Sequence, residues 1–478
     1  MSPSAPGSVR PRRDSGRDWV LGGLVFVLAM AIYASPPGLG RPFRNGDEAI
    51  YAEMAREMAS GSGLFTLRWQ GQPILNRPPA AVWALALSAR LMGPGERALR
   101  GIVAAQAAAA AALLFLYGAR RYGAVAGLGA ALLFATADRV FVYARYIESE
   151  PLLVLLLVAS GLCWEKSRER RAFAAGFGVC LGLSLLTKQV VGALPLLFPA
   201  LDLALRRPLP WRAMGGALLL AAAIVLPWHL WESARFGSAF WHEYLVANVA
   251  ARAGAAMHHP TTPLFYPRML WRTEGLLVLL YAAGLAYACW RRDPVPLGWA
   301  LAVLLPLSIA GSRYDYYALV AYPALALGAG RLLGEAVPRL GWVLGPAAAV
   351  ASLVHTLGAR HAEETPWDAQ VKGLAELCAQ VSRPGDLVLS INQFAFAPRF
   401  YSQREAIMVT LDPVTDPGQS LLPGEQVPLG GLLPRLERRP RWFALAQKRD
   451  APRLGPLGTV YLVGESRDYV LVAHQPGP

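Results

Sequence analysis

Long apolar stretches separated by short, arginine-bearing connections set the pattern of this chain. The stretches fall at residues 19–33, 101–119, 123–137, 151–164, 172–186, 190–205, 213–231, 275–290, 297–310, 317–333 and 342–357. A helix of roughly 20 apolar residues crosses about 30 Å of hydrocarbon. The pattern therefore predicts a polytopic α-helical membrane protein with about 11 transmembrane helices, several of them short. Flanking charge assigns each segment a direction. With Arg10, Arg12, Arg13 and Arg17 in the cytoplasm, Arg120-Arg121, "EKSRERR" (165–171), "RRPLPWR" (206–212) and Arg291-Arg292 fall on the same side. Two long outer loops follow, 38–100 and 232–271, and the odd count of crossings puts 358–478 outside. Residues 1–18 read as a disordered basic N-terminus. The run after them has two readings, the core of a signal peptide and a first membrane helix. No small-x-small cleavage site follows it, which favours a retained helix.

The segment 358–478 has a different texture. An amphipathic stretch (369–380), the breaker "RPGD" (383–386) and the β-rich runs "LVLSIN", "AIMVT", "TVYLVG" and "YVLVAH" predict a small soluble α/β domain. The net charge of +14 raises nucleic acid as a partner, but the arginines cluster in short connections where orientation signals belong, so lipid is the expected partner. Cys163, Cys180 and Cys289 lie in apolar segments and Cys378 stands alone, so neither a CxxC motif nor a disulfide framework is present.

One polar stretch stands beside the first apolar run: "RNGDEAIYAEMAREM", residues 44–58. As a helix it places Asp47 and Tyr51 one turn apart on one face, with Glu53, Arg56 and Glu57 on another, more solvated face. Asn45-Gly46 supplies an N-cap region, and carboxylates are favoured at a helix N-terminus. Asp47 and Glu48 thus have a plain structural reading as the start of a surface helix.

A functional reading comes from resemblance. "DEAIYAEMAREM" (47–58) resembles the D-E-x-x-Y-A-E-x-x-R-E-M signature of bacterial GT-C glycosyltransferases related to the aminoarabinose transferases and protein O-mannosyltransferases. "NRPPAAVWAL" (76–85) is similar to their K-P-P-x-x-x-W-x block, and "GPGERALR" (93–100) to G-x-x-E-x-x-x-R. "ARYIESEPLL" (144–153) resembles A-R-x-x-x-x-D-x-x-L, and "LLTKQVVGALPLL" (185–197) resembles L-T-K-G-x-x-x-x-x-x-P. A Pro-Trp block with downstream Asn248 and Arg252 and the aromatic segment 312–327 complete the series. The resemblance covers roughly the first 335 residues; the C-terminal segment matches only by position.

The resemblance implies a GT-C fold with outer juxtamembrane helices in the bacterial plasma membrane. Its expected reaction moves a sugar from a polyprenyl-phosphate donor to a hydroxyl-bearing acceptor (lipid, glycan or protein) on the extracytoplasmic face, with inversion. Asp47 matches the family's catalytic base, with Glu48 beside it, and a positioned carboxylate can take the acceptor's proton. Arg77, Lys188 and Arg313 are candidates for the donor phosphate, where cationic groups stabilise developing charge. Glu150, Tyr51 and Arg252 are candidates for sugar, acceptor or a divalent cation. Arg77 stands where the family has Lys, and Glu150 where it commonly has Asp, with Glu148 two residues earlier. Each has a structural alternative: snorkelling or ion pairing for Arg77 and Lys188, an interfacial belt for Arg313 and Tyr266, Tyr314, Tyr316 and Tyr317, and loop support for Asn248 and Arg252. His258-His259 are a poor two-ligand pair alone, so no metal ligand is assigned. Two other classes compete. A transporter or flippase needs interrupted helices, intramembrane charge and repeated halves, which the pattern offers only weakly. An inactive scaffold that binds glycan lipids is disfavoured by the intact Asp47-Glu48 pair.

Overall fold

The computed structural model describes residues 15–36, 38–250, 262–359, 366–411, 426–436, 439 and 441–474. Two compact units divide the chain. The helical unit comprises Met1–Leu39, Leu75–Ala81 and Arg100–His361; the mixed unit comprises Gly40–Ile74, Val82–Leu99 and Ala362–Pro478.

In the helical unit every apolar run predicted from the sequence is helical over most of its length. Among the described residues, five helices are long and apolar enough to cross a membrane: Gly16–Tyr33, Glu96–Tyr122, Trp211–Phe236, Asp315–Ala336 and Pro338–Gly358. Side chains such as Leu219, Leu279, Ile309 and Val354 are exposed, a surface that hydrocarbon rather than water would cover. This is a multi-pass membrane protein. The first helix begins at Gly16 rather than at residue 19, because Ser15 and Asp18 form a reciprocal capping box that satisfies two of its free amide donors. Helices approach through small residues: a Cβ added at Gly330 would lie 2.3 Å from the carbonyl oxygen of Ala126, and one at Gly284 2.3 Å from the amide nitrogen of Ala329.

Among the described residues of the helical unit, backbone irregularity is concentrated in three places. The run at 190–205 opens as a 3-10 stretch, Gln189–Leu196, before continuing as Leu197–Ala204. The run at 317–333 likewise opens as Asp315–Ala321 in 3-10 geometry. His242–Ala250 is a π-helix. Interrupted helices are therefore more prominent than the hydropathy pattern suggests, since period alone does not separate 3-10 from α geometry in so short a run.

Ion pairs in the helical unit fall into two groups. One joins Arg120 to Glu169 (2.6 Å), Arg121 to Glu165, Arg121 and Arg331 to Asp293 (3.2 and 2.9 Å), and Arg168 to Asp202 (2.5 Å). The other joins Arg139 to Asp315 (2.6 Å) and Lys188 to Glu150. Each group links only connections that flanking charge had assigned to a common side.

The mixed unit contains a short hairpin, β1 (Arg68–Trp69) and β2 (Gln72–Pro73), and a six-stranded sheet. Its strands are β3 (Leu387–Ile391), β4 (Glu405–Thr410), β5 (Gln426–Pro428), β6 (Trp442–Gln447), β7 (Tyr461–Glu465) and β8 (Tyr469–His474), in the order β5-β4-β3-β6-β8-β7. Pairing is parallel from β5 to β6 and antiparallel through β8 and β7. Four of these strands coincide with the β-rich runs of the sequence. The central β6, "WFALAQ", was not anticipated, since a short uniformly apolar run carries no alternation when buried on both faces.

Candidate functional site

In the mixed unit, the acidic stretch forms the helix Asp47–Ala59 with Gly46 as N-cap. Asn45 does not cap it. Its side chain instead donates to the carbonyl of Phe394 (2.6 Å) and accepts from the amide of Ala397 (3.0 Å). Asp47 is half-buried at the first helical position, Glu48 is buried and accepts the Arg44 amide at 2.9 Å, and Tyr51 is buried. The expected solvated face is not solvated. Glu53 is fully buried and ion-paired with Arg56 and Arg399, at 2.6 and 2.8 Å, and Arg56 also donates to the carbonyl of Phe400. A helix Phe396–Ser402, more than 300 residues away in sequence, covers that face. Beside it, Glu57 has its carboxyl pushed up from the ordinary range, first by burial and then by the charge of Glu53.

In the helical unit, a second group of expected residues converges. Lys188 ends the turn after helix Ala172–Leu185, pairs with the fully buried Glu150, and lies against the rings of Tyr317 and Tyr316 (4.4 and 5.4 Å to their centroids). Arg77 lies in a strip tied to the same place: the Asn76 carbonyl accepts from Gln189 (2.8 Å) and Asn248 (2.6 Å), and the Ala80 amide donates to the carbonyl of Leu186 (2.9 Å). Gln189 stands where the related pattern has Gly, and its φ of +27° is a conformation that favours glycine. Such a strained residue persists where its surroundings hold it, here through the bond to Asn76.

Lys188, Glu150, Gln189 and Tyr317 border a cavity of about 610 Å³. Glu150, Lys188, Gln189, Asn248, Ser312 and Tyr317 are its polar lining, and most of the rest is aliphatic, supplied by 190–200 and 302–310. All three irregular stretches contribute to the wall. Irregular backbone is tolerated at membrane depth where it lines a cavity. Arg313, in the loop after the helix Pro294–Ile309, donates to the Ser308 carbonyl of that helix at 3.2 and 2.9 Å. Tyr266, fully buried, donates to the carbonyl of Tyr314 (3.1 Å) and so supports the aromatic loop from below.

Asp315 and Arg139 were missed as a pair. The Asp315 carboxylate accepts from Arg139 (2.6 Å) and Tyr143 (2.7 Å), which anchors the loop whose tyrosines meet Lys188. An acid inside "SRYDYY" and an arginine just past an apolar run were the available signals. Arg252 and His258-His259 lie outside the described residues. Among the described residues, no three His, Cys, Asp or Glu side chains form a group able to hold a metal ion.

A family model described as dolichyl-phosphate-mannose-protein mannosyltransferase matches residues 76–231. The undecaprenyl phosphate-alpha-4-amino-4-deoxy-L-arabinose arabinosyl transferase of Edwardsiella ictaluri is 27% identical over 364 residues, 71% of this chain and 63% of that protein. Its counterpart in Aeromonas salmonicida is 27% identical over 60% of this chain and 55% of its own length. The chain thus spans roughly three-fifths of the length of these curated relatives. Among solved structures, ArnT from Cupriavidus metallidurans bound to undecaprenyl phosphate superposes with a TM-score of 0.75 at 18% identity, covering 96% of this chain and 98% of that one. The apo oligosaccharyltransferase of Archaeoglobus fulgidus gives 0.56 at 12% identity, over 91% and 71%. The architecture is that of the GT-C membrane enzymes. In sequence and in fold the chain is similar to the aminoarabinose transferases.

Proposed function

We propose that the protein transfers a sugar from a polyprenyl-phosphate donor to a hydroxyl-bearing acceptor at the extracytoplasmic face of the bacterial inner membrane. The cavity carries this reading. Its volume lies within the roughly 300–1,000 Å³ of small-molecule sites, and it joins an aliphatic wall to a polar end holding Lys188. That combination suits the phosphate and first isoprene units of a lipid whose remaining tail lies in the bilayer. The likeness to a structure bound to undecaprenyl phosphate supports the same ligand class. On the topology assigned from flanking charge, with which the two groups of ion pairs in the helical unit agree, about eleven segments cross, the N-terminus is cytoplasmic and residues 358–478 lie outside.

In this mechanism the acceptor oxygen attacks the anomeric carbon as the bond from that carbon to the phosphate oxygen breaks. Direct displacement inverts the centre. Asp47 takes the proton of the acceptor hydroxyl, and its help comes late, when an oxocarbenium-like centre has made that hydroxyl acidic. Lys188, with Arg77 in the strip tied beside it, meets the charge that develops on the departing phosphate. Arg77 brings a planar fork in place of a point charge. Arg313 is a third phosphate candidate, and Tyr51 and Arg252 are candidates for sugar or acceptor.

The test compares envelope lipids and glycans by mass spectrometry in cells with and without the protein, and in cells carrying Asp47→Asn. Loss of a general base costs about 10²–10⁴-fold in rate. The variant should insert normally, bind undecaprenyl phosphate as before and transfer no detectable sugar. Full transfer by Asp47→Asn removes that residue from the mechanism.

A further inference from the structure

We propose that Glu150 is an internal counter-ion that weakens the cavity's hold on the doubly charged product lipid more than its hold on the singly charged donor, so that it promotes product release. This rests on the reading of Lys188 as the phosphate site. The Glu150 carboxylate is completely buried and borders the cavity; one oxygen pairs with the Lys188 ammonium and the other accepts the Ser149 hydroxyl at 3.1 Å. Glu148 adds a second negative charge to the field at Lys188. The charge of Lys188 is therefore answered within the protein before any lipid arrives.

The chemistry of the reaction makes this matter. A polyprenyl-phosphate sugar is a phosphodiester with one negative charge. Once the sugar has left, the lipid is a phosphomonoester, which carries about −1.5 to −2 at pH 7. Both must share Lys188 with a fixed carboxylate in a site that little water screens. Repulsion from that carboxylate scales with ligand charge, so it is about twice as large for the product as for the donor. A cavity built only of cations would hold the product far more tightly than the donor and slow each turnover; Glu150 offsets much of that difference.

The test measures binding of farnesyl phosphate and farnesyl methyl phosphate, a monoester and a diester with the same chain, to the full protein in nanodiscs. Wild-type protein should favour the monoester by less than about tenfold at pH 8, and a larger monoester preference overturns the proposal without any variant. Glu150→Gln keeps the side chain's shape and removes its charge. It should tighten monoester binding by tenfold or more and diester binding distinctly less. Equal gains, no gain or weaker monoester binding also overturn it. Glu150→Asp, which keeps the charge, should retain the wild-type ratio of the two affinities, and a ratio like that of Glu150→Gln counts against the idea. Lys188→Gln separates the two levels: if neither probe weakens, the phosphate-site reading itself fails; if both weaken while Glu150→Gln shows no selective gain, only the counter-ion role fails.

Discussion

Lys188 illustrates how far one side chain can be read before its neighbours are known. A cation at the outer end of an apolar helix runs against the usual charge bias and so suggests a purpose. The sequence leaves open whether that purpose is phosphate or a carboxylate. The structure supplies a carboxylate, Glu150, together with two tyrosine rings, and sets all of them at a cavity. Gln189 beside it is the less obvious residue. Its backbone prefers glycine, yet its amide ties Asn76, and with it the strip carrying Arg77, to the cavity's polar end. Gln189→Gly should relieve the backbone while losing that tie. The expected result is an unchanged or higher unfolding midpoint with undecaprenyl phosphate binding weakened several-fold, and unweakened binding would show the tie to be dispensable.

The acidic helix shows the same gap for an element. Its period and its favourable N-terminus were legible, as was the placing of Asp47 and Tyr51 one turn apart. The burial of Glu53 was not, because the groups that enclose it, Arg399 and the Phe400 carbonyl, arrive from a distant part of the chain. Breaking a buried pair by removing one partner costs about 3–5 kcal/mol. Arg399→Ala leaves Arg56 in place, so its cost should fall near the low end of that range. Glu53→Gln should cost less, since both arginines are partly exposed and can turn to water. The two midpoints of thermal unfolding, compared in one detergent, decide the order. Glu57 adds a dependence on pH. A carboxyl whose folded pKa is raised stabilises the fold fully below its unfolded value of 4.5, and that contribution is lost as pH rises through the folded value. Relative to Glu57→Gln, wild-type protein should therefore lose stability between pH 4 and pH 7, and a constant difference across that interval would rule the effect out.

For the molecule as a whole, two kinds of order coexist. The helical unit presents apolar side chains outward and keeps its charges in two separate groups, while the mixed unit buries a sheet core around Leu389, Val409, Trp442 and Ala444. Asp293 is the centre of one charge group, bound by Arg121, Arg331 and Tyr122. Asp293→Ala leaves two arginines short of a buried partner, though each retains a glutamate, so the loss should be about 3 kcal/mol. The thermal midpoint should fall while farnesyl phosphate affinity in the folded fraction holds. A fall in affinity as large as that of Lys188→Gln would mean that this group supports the lipid site directly.

The amino-acid order determined the elements, since the spacing of apolar residues is a local property that solvent and bilayer act on directly. It also marked Asp47, Glu150 and Lys188 as unusual, because charge beside hydrocarbon is costly enough to stand out. Folding alone settled which of them meet. The Lys188–Glu150 pair, the hold of Asn76 by Gln189 and Asn248, the anchoring of Asp315 by Arg139 and the burial of Glu53 all join residues far apart in the chain. Contacts of that kind depend on how helices and loops pack in three dimensions, which no local pattern of residues encodes.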